Sequence, residues 1–232
     1  MKIALVDTPS FDDTYRSDSE VLQDVAYFLG QVYEKGLKLA GIIYLQKITD
    51  NRMQGSVLKN LEMFQALCGD SGLSNVVLAT TMCDQASTPE ELSKAEAREE
   101  ELCANPKYWA DMLELGSQTF RHDNSVASAS RIIEHILQLP TTVVLKIQRE
   151  MVDEKRSLNQ TVAGKRLQKE LLAQEEKHKA ALEKIQTQYR KVIESGNEKT
   201  AKMFERMQRE HTENLKKAEK EKENILKDYR RL

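Results

Sequence analysis

The chain has 232 residues with 35 Lys and Arg against 37 Asp and Glu, so its formal net charge is −2. This near balance hides a division, because residues 150–232 carry 21 basic and 16 acidic residues whereas residues 1–149 carry 14 and 21. Neither part has the dense basic patch with interleaved aromatic residues that nucleic-acid binding needs, and no apolar run approaches the roughly 20 residues required to span a bilayer.

The N-terminal residues predict a strand followed by a helix. Residues 2–6 form a short apolar run that ends before Asp7 and Pro9, which is typical of a buried strand. Ser17 and Glu20 have the spacing of a capping box. Apolar residues then recur with helical period, which predicts a helix of about 15 residues.

Strand and helix patterns alternate through the rest of this region. They predict strands at 39–45, 75–80 and 118–121, and helices at 56–67, 89–103, 106–116 and 128–139. The alternation indicates parallel strands joined by crossover helices, in a three-layer α/β sandwich. Ligands bind such sheets beyond the carboxyl ends of the strands, so we expect functional residues just after Val6, Leu45, Thr80 and Arg121.

The remaining residues predict a helical tail. From residue 143 onward there is no Pro and only two Gly, and sparse apolar residues recur at roughly helical spacing. This pattern indicates a long helix or a helical hairpin with a break near 195–197, although its a/d positions are too irregular to define a coiled coil. The sequence therefore predicts an α/β region at 1–140 and a charged helical tail at 141–232.

Asp7, Thr8, Pro9 and Ser10 follow the first predicted strand. A carboxylate in this position can hold Mg²⁺, usually through water, beside nucleotide phosphates. A strand that ends in an Asx-turn explains the same four residues equally well.

Thr81, Met82, Cys83 and Asp84 follow the strand at 75–80. A carboxylate here can accept from the ring N–H and the exocyclic amino group of guanine, two donors that this edge of adenine lacks. A helix N-cap is the alternative explanation. Two such motifs in this order, each just after a buried strand, favour a nucleotide site over the alternatives.

These motifs resemble those of fungal P-loop GTPase-like proteins related to septins and immunity-associated GTPases. The similarity extends over residues 1–139 and includes residues 7–14, 39–45, 49–53 and 76–84. It implies a G domain that binds GTP or GDP with Mg²⁺, with Asp7 on the magnesium side, through water, and Asp84 reading the base. The nucleotide-binding residues that it implies are Asp7, Thr8, Pro9, Ser10, Thr81, Met82 and Asp84, with Gly116 and Ser117 or their neighbours as the fifth motif.

Three features depart from the family pattern. Ser10 replaces a Gly whose backbone N–H would meet the γ-phosphate, and Met82 replaces a Lys whose stem would pack on the base. The P-loop that cradles the phosphates is absent, since Gly164-Lys165-Arg166 lies in the tail and lacks the other P-loop residues. We expect a truncated GTPase rather than a natural degenerate one, and no hydrolysis by this chain alone.

The leading hypothesis is a guanine-nucleotide-binding protein in which Mg²⁺-GTP orders residues 8–20 and the tail transmits the change or supports self-association. The alternative is a non-enzymatic interaction or scaffold protein that oligomerises through its tail. An ATPase is disfavoured by the position of Asp84. Three cysteines without ligand-like spacing, and an N-terminus without a signal peptide, indicate a reducing, cytoplasmic setting.

Overall fold

The computed structural model describes residues 3–9, 11, 16–49, 55–194 and 198–226, with the side chains of 191–194 and 198 outside this description. The chain divides into two compact units, one made of residues 1–25 and 157–232 and the other of residues 26–156. The predicted boundary at residue 140 differs from this division. Residues 141–156 belong with the α/β unit because they pack into it: Ile147 is fully buried, and Gln148 Nε2 donates to Leu29 O at 2.9 Å.

Residues 3–9 belong to no strand. Their apolar side chains are exposed, with Leu5 at 72% and Val6 at 55%. A strand is held by backbone hydrogen bonds and side-chain pairs with a neighbour, and no strand of the described residues pairs with this segment. The prediction of a buried strand at 2–6 is therefore wrong for residues 3–6, and Lys2 lies outside the described residues.

The first helix, α1 (Asp18–Glu34), begins where the capping box predicts. The backbone N–H of Ser17 donates to Glu20 Oε2 at 3.1 Å, and the backbone N–H of Glu20 donates to Ser17 Oγ at 3.3 Å. These two bonds satisfy donors that have no partner within the helix. The capping prediction is confirmed.

Within the described residues the sheet has three parallel strands, in the order β1 (Ile42–Lys47), β2 (Val76–Thr81) and β3 (Gln118–Arg121). The predicted parallel α/β arrangement is confirmed in this smaller form. β1 begins three residues later than predicted because Leu39 instead forms an antiparallel bridge with Val143.

Helices lie on both faces of this sheet. They are α2 (Ser56–Cys68), α3 (Pro89–Ala104), α4 (Ala110–Glu114) and α5 (Val126–Gln138). On one face Tyr44 of β1 contacts Phe64 of α2, with ring centroids 4.9 Å apart. On the other face Val77 and Ala79 of β2 pack against Ile132 of α5. β2 lies at the centre and is buried over most of its length, as its unbroken apolar run predicts.

The helix predicted at 106–116 is shorter in the structure. Residues 106–109 form a turn in which Tyr108 N donates to Asn105 O at 2.9 Å, and α4 begins only at Ala110. α2 ends at Gly69 as predicted, with φ 66° at that glycine.

The tail begins with short segments and continues as two long helices. A three-residue helix, α6 (Lys146–Gln148), precedes α7 (Val162–Glu194) and α8 (Glu198–Leu226). Gly164 lies in the first turn of α7, where an added Cβ would be 1.9 Å from Leu158 O. Only glycine allows the preceding turn to lie this close to the helix. The predicted break at 195–197 falls outside the described residues.

Candidate functional site

The three strands end at one edge of the sheet because they are parallel. Ile48 N donates to Thr81 O at 3.0 Å, and His122 N donates to Thr80 O at 2.8 Å, so the backbone ladder continues just beyond β1 and β3. The loops that leave this edge therefore start side by side. We call this set, residues 81–85 and 122–125, the carboxyl-edge site.

A left-handed residue shapes the first loop of this site. Met82 has φ 59° and ψ 23°, and a single 3₁₀ turn, Cys83–Gln85, follows it. Gln85 N closes the turn by donating to Met82 O at 3.2 Å. The left-handed region costs a non-glycine residue roughly 1–2 kcal/mol. Here it reverses the chain at once after β2, so that Asp84 is exposed at the carboxyl edge.

Side chains beneath the turn are linked by polar contacts. Cys83 Sγ donates to Thr80 O at 3.6 Å, and Thr80 Oγ1 donates to Glu99 Oε1 at 3.5 Å. Glu99 also forms an ion pair with Arg121, and this hydrogen-bonded partner raises the pKa of Arg121. The cavity enclosed among these residues is about 40 Å³. Ligand pockets typically measure roughly 300–1,000 Å³, so this cavity is too small to enclose a ligand of that size.

The second loop is a compact network that starts α5. Asp123 Oδ1 accepts from Ser125 Oγ at 2.6 Å and from Ser125 N at 3.2 Å. Ser125 Oγ in turn accepts from Ser128 N at 3.1 Å and caps the helix, while His122 Nδ1 lies 2.8 Å from Ser128 Oγ. The hydroxyl of Ser125, followed by that of Ser128, lowers the pKa of Asp123 to about 2. This loop is thus ordered and anionic at neutral pH.

Gly116 and Ser117 lie at the opposite edge of the sheet. Ser117 Oγ donates to Leu73 O at 2.8 Å, and an added Cβ at Gly116 (φ 100°) would meet Ser74 at 3.3 Å. Both contacts are with the chain that enters β2, whereas Asp84 follows the end of β2. Six strand residues span roughly 20 Å. The structure therefore does not bring Gly116 and Ser117 together with Asp84. The residues that follow them in the chain and reach the carboxyl edge are 122–125.

Sequence reasoning named the position of this second loop but not its residues. Arg121 is the end of the third predicted strand, and functional residues are expected just after it. The signal was the Asp-x-Ser spacing of Asp123 and Ser125 before a predicted helix, which is a capping pattern.

Asp7, Thr8 and Pro9 belong to the other unit, in the exposed segment that forms no strand. Ser10 lies outside the described residues. Among the residues that the structure describes, no group of three His, Cys, Asp or Glu side chains is placed to hold a metal ion. Mg²⁺ is usually bound by one or two carboxylates together with water and phosphate oxygens. A single carboxylate in that role needs no further protein ligand, so Asp7 stays a predicted magnesium-side residue, and no step is assigned to that ion.

Comparison of the chain with protein-family models, with curated proteins and with solved structures gave no significant match. In the described part of the chain, no helix is both long enough and apolar enough to cross a bilayer.

Proposed function

We propose that this chain is a guanine-nucleotide-binding protein of the P-loop GTPase class and that its carboxyl-edge site recognises the base. The observation that carries the proposal is the exposed carboxylate of Asp84, on a turn fixed by Met82 directly after the central parallel strand. An ionised carboxylate only accepts hydrogen bonds. It therefore selects a base edge with two adjacent donors, which guanine has and adenine lacks.

Two neighbours of Asp84 support this proposal. The side chain of Met82 is 38% exposed and offers an apolar surface on which a flat base can pack. The loop of residues 122–125 leaves the next strand at the same edge and is held rigid by its serine hydroxyls. A base bound at Asp84 would thus meet an apolar side chain and an ordered loop. Hydrolysis is not assigned to any residue.

The test is calorimetric titration of the folded 232-residue chain with GDP and ADP in the presence of Mg²⁺. A bidentate pair contributes roughly 1–3 kcal/mol of discrimination, so we expect GDP to bind about 10- to 100-fold more tightly than ADP. Equal affinity for the two nucleotides, or no binding of either by a folded chain, would overturn the proposal.

A base-switch variant separates recognition from folding. Xanthine carries an oxygen where guanine carries the amino group, so the amide of Asp84→Asn can donate where the carboxylate could only accept. We expect Asp84→Asn to lose GDP affinity and to gain affinity for xanthosine diphosphate. Asp111→Asn is the matched control, since it makes the same change at an exposed carboxylate on α4. A variant that binds both nucleotides like the unmodified chain would exclude Asp84 from the site.

The second candidate function is a scaffold that self-associates through its tail. The specific observation is that Met203 and Met207, one turn apart on α8, are exposed at 55% and 37%. Large exposed apolar side chains on one helix face are typical of contact surfaces. Light scattering over a range of concentrations tests this function. A mass that rises with concentration for the unmodified chain, together with a monomeric mass for Met203→Glu/Met207→Glu, supports this function. A monomeric mass of the unmodified chain at every concentration counts against it.

A further inference from the structure

α7 and α8 pack against each other in antiparallel directions. Lys222 Nζ of α8 donates to Glu175 Oε2 of α7 at 2.7 Å, and Tyr189 Oη of α7 donates to Glu205 Oε1 of α8 at 2.9 Å. Higher numbers on one helix therefore face lower numbers on the other.

The contact between these helices is a seam with seven-residue spacing. The buried apolar residues that follow this spacing are Leu171 and Ile185 on α7, and Phe204, Ala218 and Ile225 on α8. Intervals of seven or fourteen residues keep side chains on one face of a helix. The seam would be continuous if apolar residues also stood at positions 178 and 211.

Histidines occupy both of those positions. His178 lies midway between Leu171 and Ile185, and His211 lies midway between Phe204 and Ala218. Their Nδ1 atoms are 3.0 Å apart, and their ring centroids are 5.3 Å apart. At this distance one Nδ1–H donates a hydrogen bond and the other Nδ1 must be unprotonated to accept it. The pair thus closes the seam with a hydrogen bond that requires at least one neutral imidazole.

The charged groups around the pair do not neutralise a second proton. On α7 Lys177 precedes His178, and the carboxylate one turn back, Glu175, is bound by Lys179 and by Lys222 of α8. On α8 the residues one turn from His211 are uncharged: Gln208, Asn214 and Leu215. Glu210 precedes His211 but is exposed to solvent. Two protonated rings would therefore face each other as donors, with Lys177 and the solvated Glu210 as the neighbouring charges.

We propose that His178 and His211 form a proton-sensitive latch in the α7–α8 seam, closed when one ring is neutral and released when both are protonated. Release separates the two helices and exposes the apolar seam residues Leu171, Ile185 and Phe204. Burial, then His211 and then Lys177, lower the pKa of His178 below its ordinary value of 6.5. Because the pKa of His178 is lower in the folded state than in the unfolded state, this imidazole stabilises the folded state fully above pH 6.5. That contribution is lost as pH falls through the lowered pKa.

Hydrogen–deuterium exchange of the full chain, compared between about pH 7.5 and about pH 5 after correction for intrinsic rates, tests the latch. We expect α7 and α8 to lose protection on acidification, while α5 does not. His178→Leu and His211→Leu should abolish this loss, because leucine continues the seam without titrating. His135→Leu is the matched control, because it removes from α5 an imidazole that lies beside Phe120 of β3. This variant should behave like the unmodified chain.

A second measurement tests the coupling directly. Titration of the imidazoles followed by NMR should show that His211→Leu raises the pKa of His178, because the opposing ring is gone. The latch is overturned if the double variant His178→Leu/His211→Leu loses tail protection on acidification as the unmodified chain does. It is also overturned if the pKa of His178 is the same with and without His211.

Discussion

Asn75 Nδ2 donates a hydrogen bond to the carbonyl oxygen of Ala40 at 3.0 Å, so one side chain ties the residue before β2 to the chain that enters β1. The same nitrogen donates to Thr141 O at 2.8 Å. Asn75 is 4% exposed, and its two N–H groups match two carbonyl oxygens from distant parts of the chain. The amino edge of the sheet therefore depends on one buried amide.

Replacing this amide should destabilise the α/β unit. Asn75→Ala leaves two carbonyl groups without their partner, and each unsatisfied buried group costs roughly 1–3 kcal/mol. Urea unfolding followed by the fluorescence of the single tryptophan, Trp109, which lies in this unit, measures the loss. Ser74→Ala is the control, since it removes only a 3.3 Å bond to Asn75 Oδ1. Equal stability of the two variants would show that the amide does not hold the edge.

Gly41 is the second constraint at this edge. An added Cβ would lie 2.8 Å from Asn75 O and 2.9 Å from Ile136 Cγ2. Gly41→Ala should thus lower the free energy of unfolding by about 1–3 kcal/mol, as overpacking does. Gly30→Ala is the comparison: its Cβ would be 3.8 Å from Val152, and alanine favours the helix by up to about 1 kcal/mol. Urea midpoints that shift equally for both variants would contradict the steric argument.

The elements that sequence predicts well are those whose signals are local. The capping box at Ser17 and Glu20, the stop at Gly69 and the buried run of β2 each depend on neighbours in the chain, and all are found. Residues 3–6 have the same apolar character as β2 but form no strand. A strand requires a partner, and composition does not reveal whether one is present.

The carboxyl-edge site illustrates a second limit of sequence reasoning. Position after a strand correctly predicts that Asp84 reaches this edge. Gly116 precedes a strand, and the same rule would have placed it at the other edge. A resemblance to family motifs supplied Gly116 and Ser117, whereas the strand rule pointed to the position just after Arg121, where the structure places Asp123 and Ser125. The local geometry of parallel strands is the better guide here.

The three cysteines should differ in reactivity. Cys68 is buried at the end of α2, and burial raises the pKa of its thiol, so little thiolate forms at neutral pH. Cys83 and Cys103 are half-buried. A disulfide reagent should modify Cys83 and Cys103 in the folded chain and all three thiols in urea. Cys68→Ser should leave the number modified in the folded chain unchanged, and a lower number would contradict the assignment.

Protonation of Asp123 should loosen the start of α5. Because the pKa of Asp123 is lowered from 3.8 to about 2, its hydrogen bonds stabilise the folded state above pH 3.8, and that contribution is lost as pH falls toward about 2. Ser125→Ala removes the largest cause, so it should raise the pKa of Asp123 toward 3.8. It also removes the helix cap, at a cost of about 1 kcal/mol.

NMR titration of the Asp123 carboxyl carbon separates these two effects, because it reports the pKa whatever the stability. Ser87→Ala is the control: its hydroxyl lies beside a different exposed carboxylate, Glu91, at 3.3 Å. An unchanged pKa in Ser125→Ala would mean that the 2.6 Å bond does not govern the charge of this loop. A raised pKa would instead show that a serine hydroxyl keeps the loop beside Asp84 anionic between pH 3.8 and about pH 2.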